Sequence, residues 1–365
     1  MPYYRFKYPK KSLFPLNEKQ KKSFRAFEQD IKSGRINFVP TFCPCESENE
    51  VTLAEVDLLG LYLRNVICRE CGLIRANPYM DAESLKFFYE EYYETLYHFG
   101  SGPLERNLDR EFNEAVSYAT TYTVPFADVG TGKNILMIGG RSGGRLYPFF
   151  QNNNTCTLVD FEPSSIEYAK NQGLKAFCGD YKEIDFESEF DLIICDHSLE
   201  HFLDIKNELI SLSKLLSSNG RLLLSIPDGG NLHTLYNYSD ARMEFKLCHN
   251  YLFSKRSFVN LLNGLGFSLI KSTYMMHQMN LVVLFEKNGS SDVAFNRAAL
   301  MDKEVYKDQI LKLLKAELLY GLYRLIQLRK LKEKFGPSLK KISPIQKLYR
   351  MLFCRGLDKG FPSKN

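Results

Sequence analysis

Between residues 133 and 226 the chain alternates five short apolar runs with helical or loop segments, and this alternation restricts its fold more than any other feature. The runs are NILMI (134–138), TCTLV (155–159), LKAFC (174–178), DLIIC (191–195) and RLLLSI (221–226). Apolar strands separated by helix-length segments predict a parallel sheet covered on both faces, hence an α/β fold. A helix over 254–265 ends at Gly266, and the runs FSLIKSTY and NLVVLFEK follow, joined by a short connection. They predict a closing hairpin, which a purely parallel dinucleotide-binding sheet lacks.

The first run leads into Gly139, Gly140, Gly143 and Gly144. Glycines let the backbone approach a ligand closely, and free N–H groups at a helix start favour polar or anionic groups. The second run ends in VDFEPSSIEYAK, which places Asp160 and Glu162 17 and 19 residues after Gly143. That is near the distance at which a strand-end carboxylate accepts hydrogen bonds from ribose hydroxyls, and spacing does not choose between the two. Gly179-Asp180 ends the third run, within reach of an adenine. FDLIICDHSLEHFLDI puts Asp196, His197, Glu200 and His201 just past the fourth, over the carboxyl edge where doubly wound sheets bind ligands.

These ordered segments resemble the class I S-adenosylmethionine-dependent methyltransferases. LMIGGRSGG is similar to that family's first motif, VDFEPSSIEYAK to its second, GDYKEIDF to its third and FDLIICDHSLEHFLD to its fourth. SIPD (225–228), HNYLFSKRSFVNLLNGLGF (249–267) and the hairpin resemble its later segments, so the likeness covers roughly residues 130–288. It implies a Rossmann-like seven-stranded sheet with a closing antiparallel hairpin, and S-adenosyl-L-methionine held by Gly139, Gly140, Gly143, Asp160 or Glu162, Asp180 and Asp196. Upstream, CRECGLIRANPYMDAESLKFFYEEYYETLY resembles a subgroup with an N-terminal zinc-binding module that includes sugar C-methyltransferases. The resemblance implies a small-molecule or glycan acceptor, such as a sugar in surface-polysaccharide or secondary metabolism. Two positions depart from the pattern. Met137 stands where the family usually has Asp or Glu, and Arg141 replaces the middle glycine of its Gly-x-Gly-x-Gly pattern. The alternative reading is therefore a catalytically inactive methyltransferase-fold binding or scaffold protein.

Methyl transfer to oxygen or carbon needs a group that takes the acceptor's proton near neutral pH, a task suited to a neutral histidine or a Tyr–His arrangement. The candidates are His197, His201, His249 and Tyr251; His249 and Tyr251 fall in the segment that borders the acceptor in the resembling enzymes, and His249 is the favoured base.

The N-terminus lacks the apolar core of a signal peptide, and no run reaches the ~18 to 20 apolar residues of a membrane span. A cytoplasmic protein, peripheral to a membrane at most, is the expectation. In reducing surroundings cysteine pairs read as metal ligands rather than disulfides. Cys68-x-x-Cys71 puts two thiolates on one turn, and Cys43-x-Cys45 supplies the other half of a closed structural zinc site. Cys156, Cys178 and Cys195 fall in strands and read as small buried hydrophobes.

The net charge of +5 is an average of unlike parts. Residues 1–35 carry +7, residues 301–365 carry +10, and the body between them carries −12. The expected organisation is a basic extension (1–40) with a helix from Asn17 to Lys32, a zinc-binding module (41–80), a helical connector (81–128) capped by Asp81, the methyltransferase-like domain (129–288) and a basic helical extension (289–365). Pro125 to Gly132 reads as a turn-rich boundary, 287–292 as a linker, and Val305 to Leu328 as a long amphipathic helix, broken at Gly336-Pro337. The acidic body and the lack of a recognisable motif argue against a nucleic-acid partner. Charge on a long helix usually marks its solvent face, so packing of the basic C-terminal helices on the body is the simplest reading. Bases interleaved with Leu, Ile, Phe and Tyr also suit membrane-surface contact, self-association or an anion-binding arm.

Overall fold

In a computed structural model of the chain, residues 7–8, 11–97, 107–231, 241–275, 280–289 and 295–326 are described. The chain divides into two units, Met1–Leu313 and Leu314–Asn365. Of the second, the described backbone, to Ile326, is helical as part of the helix Lys303–Ile326. The expected continuation to Leu328, the Gly336-Pro337 break and the basic stretch beyond lie outside the described residues.

The centre of the first unit is a seven-stranded sheet. Its strands are β1 (Asn134–Ile138), β2 (Thr155–Asp160), β3 (Lys175–Cys178), β4 (Phe190–Asp196), β5 (Leu216–Pro227), β6 (Phe267–Met275) and β7 (Asn280–Lys287). They lie in the order β6-β7-β5-β4-β1-β2-β3. Strands β1 to β5 are parallel, and β7 inserts antiparallel between β5 and β6. The five runs and the hairpin are thus strands of one mixed, Rossmann-like sheet. Its two faces are both buried, in alternation. Leu136, Ile138, Ile193, Leu222 and Leu224 join one core, and Ile135, Met137, Leu192, Ile194 and Leu223 the other. A period of two with both faces apolar is why each strand reads as a continuous run.

Three local expectations are corrected. Cys178 is exposed, because β3 is the sheet's edge strand and the cysteine ends it. Lys287 is not linker: it ends β7, buried, with Nζ donating to the carbonyls of Ser213 and Leu216 at 2.7 and 3.0 Å. It thereby gives Ser213 O, which also accepts from Leu216 N–H, a second donor, and ties the end of the helix Ile205–Leu215 to β7. The turn-rich boundary begins later than Pro125, since Val124–Ala127 is still helical with proline in its first turn, where no N–H is needed.

Upstream of the sheet, the helix Glu18–Ser33 starts at an Asn17–Gln20 capping box and ends at Gly34, whose φ of 76° suits only glycine comfortably. Its Phe27 is fully buried, with ring edges against Phe88 and Tyr92, which stabilises the packing by about 2 kcal/mol. A helical run capped by Asp81 follows as Ala82–Phe88, a wide π turn Tyr89–Tyr93 and Glu94–Tyr97.

Besides a two-stranded pairing of Phe38–Val39 with Tyr79–Met80, a second sheet has four strands, in the order Tyr251–Leu252, Ile74–Ala76, Tyr62–Cys68, Glu50–Val56. Its first strand belongs to the segment after β5, so the cysteine-bearing module and the large sheet's own connection share one set of hydrogen bonds, Tyr251 opposite Arg75 and Leu252 opposite Ile74.

Candidate functional site

At the carboxyl end of β1 the glycine loop turns sharply. Gly139, Arg141 and Gly143 all have φ in the left-handed region, at 72°, 49° and 79°. A Cβ on Gly139 would collide with Ser198 Oγ, and one on Gly143 would meet Leu174 at 2.6 Å. The loop therefore lies tight against β2, the helix Pro163–Asn171 after it, and Ser198 at the start of the LEH turn, Leu199–His201. Arg141 takes the left-handed conformation without being glycine, which is unfavourable by roughly 1 kcal/mol. Arg141→Gly is accordingly expected to raise stability by about that much, seen as a higher urea midpoint at unchanged slope; an unchanged or lower midpoint would show that no strain is stored there.

Met137 is buried in the apolar core, directly beneath Gly140. At the end of the next strand, Asp160 Oδ2 accepts from Arg141 N at 2.8 Å, and Oδ1 from Glu162 N at 3.0 Å. Glu162 is engaged elsewhere, by the hydroxyls of Ser164 and Ser165 at 3.0 and 2.7 Å. Of the two acids that spacing left open, Asp160 is the one at the loop. Asp180 ends the β3 connection and caps a single turn through Lys182 N. Asp196, at the end of β4, pairs with Arg145 at 2.8 Å, and that guanidinium also lies over the Tyr118 ring. Gly139, Gly140, Gly143, Asp160, Asp180 and Asp196 thus share one sheet edge.

The LEH turn follows. His197 holds φ at 52° and donates its backbone N–H to Ser225 at 2.9 Å, which ties the ends of β4 and β5 together. Glu200 is fully buried and faces His197 Nδ1 at 3.3 Å and His201 Nε2 at 4.0 Å. Burial alone would raise its pKa, but the two imidazoles pull it below the usual carboxylate range. For His197 burial works downward, while the hydrogen bond and charge of Glu200 work upward and prevail, so its pKa is raised. With Glu200 ionised, His197 Nδ1 must be the donor, which leaves Nε2 as a proton acceptor.

His201 Nδ1 lies 2.8 Å from both the Tyr89 hydroxyl and the Cys248 carbonyl oxygen, and its ring stands edge-on to His249 at 5.0 Å. His249 is buried, and burial holds its pKa well below the ordinary value, so it is neutral. Its Nδ1 has no partner among the described residues. The structure places Tyr251 apart from this group: the hydroxyl donates to Leu203 O at 3.0 Å, and the ring packs with Phe253 against the cysteine core.

Cys43, Cys45, Cys68 and Cys71 converge in the fold, all buried, with Sγ separations of 3.4, 3.4 and 3.5 Å along three sides. A tetrahedron with metal–sulfur bonds of ~2.3 Å has edges of about 3.8 Å, so the sulfurs need to spread by only a few tenths of an ångström to fit a zinc ion. The same core holds Leu199, the first residue of the LEH turn, and Ile205, which opens the helix after it. Asn250 completes the link: its N–H donates to Glu200 O at 2.8 Å, its side chain to Phe202 O, and its carbonyl accepts from Ala76 N.

Three further residues belong to this region without any local sequence signal of it. Phe161, beside Asp160, is 73% exposed, an unusual state for a large aromatic side chain at a strand end. Arg145 reaches Asp196 only across the sheet edge. Tyr89 reads as helical core by periodicity, whereas its hydroxyl faces His201, and Tyr93 and Tyr97 continue the row at ring distances of 5.0 and 5.7 Å.

Residues 104–272, somewhat under half of the chain, match a family model described as a methyltransferase domain. A malonyl-[acyl-carrier protein] O-methyltransferase of Priestia megaterium is 31% identical over 99 residues, which is 26% of this chain and 36% of that protein. The chain thus spans about a third of the length of this curated relative. Among solved structures, an S-adenosylmethionine-dependent methyltransferase from Clostridium acetobutylicum aligns at 14% identity and TM-score 0.37, covering 48% of this chain and 92% of its own. A magnesium protoporphyrin IX methyltransferase from Synechocystis with bound S-adenosylhomocysteine aligns at 14% identity and TM-score 0.38, covering 52% and 91%.

Proposed function

We propose that this chain, with its methyltransferase domain, is an S-adenosylmethionine-dependent methyltransferase that acts on a small-molecule acceptor. The observation that carries the reading is the edge formed by β1 to β4, where a left-handed glycine loop, Asp160, Asp180 and the His197–Glu200 pair meet. Asp160 is proposed to accept from the ribose hydroxyls, Asp180 to face the adenine and Phe161 to cover its ring, with Gly139, Gly140 and Gly143 leaving room for the amino-acid end. When bound, the cofactor supplies an electrophilic methyl group on a sulfonium. The protein's part is to align the acceptor with it, exclude water and take a proton.

His197 is the group best suited to the proton. Its side chain is 34% exposed, its Nε2 is free to accept, and Glu200 behind it stabilises the imidazolium that forms. His249, the first choice on position in the sequence, is sealed at Nδ1, and His201 is already bonded to its neighbours; both are proposed as the wall that orients the acceptor, with Tyr251 holding the adjoining backbone. The Tyr89–Tyr93–Tyr97 row is a surface on which the apolar face of a sugar would stack, which together with the resemblance supports a sugar, free or in a glycan, as acceptor.

His197 must be neutral to act, so turnover is expected to rise with pH through its raised pKa, above 6.5. Removing the carboxylate in Glu200→Gln takes away the main upward influences and leaves the lowering by burial opposed chiefly by Asp196, so the acidic limb should move to lower pH. His197→Ala should reduce turnover by about 10²- to 10⁴-fold and spare cofactor binding. Turnover and pH profile unchanged in both variants would remove the pair from the mechanism.

The four cysteines are proposed to hold a structural zinc ion. The basic ends are proposed to place the enzyme, on an anionic membrane surface or against a second copy. No helix among the described residues is long and apolar enough to cross a membrane. Co-sedimentation with anionic vesicles at low salt tests the surface contact, and its absence would remove it.

A further inference from the structure

We propose that His201, Cys248 and His249 form a second metal site, separate from the four-cysteine cluster and open toward the acceptor cleft, which takes a borderline divalent cation such as Zn²⁺. Their ligand atoms all lie within 4.8 Å of one another. Two nitrogens and one sulfur make the three-ligand donor set of an open zinc site, whose fourth position is left for water or substrate.

The surrounding groups are arranged as a metal centre requires. With His201 Nδ1–H donating to the Cys248 carbonyl at 2.8 Å, its Nε2 is the lone-pair donor, and a backbone carbonyl is a usual outer partner of a metal-bound imidazole. His249 Nδ1 is buried with no partner among the described residues, an arrangement that costs free energy until something accepts its lone pair or its proton. Glu200 Oε2 is likewise buried and unpartnered. A dication with one thiolate leaves a residual positive charge, and the Glu200 carboxylate beside His201 balances it. Cys248 itself has no place in the proton transfer proposed for His197, and no disulfide partner. On binding, the thiol proton passes to solvent and a sulfur–metal bond replaces the S–H bond, with no change of oxidation state. His201 is 23% exposed while Cys248 and His249 are buried, so the open position is placed on the His201 side in this proposal, where the ion would polarise an acceptor hydroxyl or carbonyl.

The test counts metal in the full-length protein after dialysis against Zn²⁺ and desalting. Wild type is expected to hold one more zinc per chain than Cys248→Ala or His249→Gln, and this difference stands whether or not the four-cysteine cluster is filled. Calorimetric titration of the wild type with Zn²⁺ after mild chelation adds a readout that needs no variant, and one saturable equivalent with proton release is expected. Equal zinc in wild type and both variants, or no saturable uptake, would overturn the site. Neither readout depends on S-adenosylmethionine.

Discussion

Cys68→Ser is expected to lose one zinc per chain and to unfold the module around residues 41–80. Structural zinc bound by four thiolates supplies on the order of 10 kcal/mol to folding, and a site with three ligands retains only part of it. A loss of about 4 kcal/mol lowers Tm by roughly 10 °C in a domain of this size. Turnover should fall as well, because the cysteine core packs on Leu199 and Ile205, and because Asn250 ties Glu200 to Ala76 of the module's sheet. Zinc content by mass spectrometry and a melting curve check both points. A Cys68→Ser protein with undiminished zinc and an unchanged Tm would show that the cluster is four reduced thiols and nothing more.

The second large effect concerns the cofactor. Asp160→Ala removes the acceptor for Arg141 N, so the glycine loop loses its anchor, and it removes the carboxylate proposed for the ribose hydroxyls. Hydrogen bonds to a charged acceptor contribute about 1.5–3 kcal/mol each, and loss of the ribose pair alone predicts a weakening of roughly 100-fold or more. Glu162→Ala, which removes a carboxylate turned toward two serine hydroxyls, should weaken binding much less. If the two variants behaved in reverse, Glu162 would be the cofactor's acid and Asp160 a loop brace.

The sheet is legible in the sequence because parallel strands buried on both faces appear as continuous apolar runs, and each run at 134–138, 155–159 and 191–195 lies within a residue of the observed strand. The glycine loop is legible for a related reason: left-handed backbone and close packing leave few choices of residue. Other features arise only from distant pairings. The two-residue strand Tyr251–Leu252 has no signal of its own and exists because Ile74–Ala76 lies beside it. Spacing placed Asp160 and Glu162 equally well, and the choice between them depends on where Arg141 N points. Arg141 and Met137 read as departures from a pattern, whereas in the fold one bears the left-handed turn and the other fills the core below Gly140. His249 stands out by position, but only the fold shows that burial keeps it neutral, and His197 is the proposed proton acceptor because Glu200 lies behind it, a pairing the fold brings out.

Calorimetry of the purified protein with S-adenosylmethionine and with S-adenosylhomocysteine tests the central claim most directly. One saturable site per chain is expected for both ligands, retained in His197→Ala and lost or strongly weakened in Asp160→Ala. Absence of binding by either ligand to the folded wild type would contradict the account and leave a scaffold that keeps the fold without its cofactor.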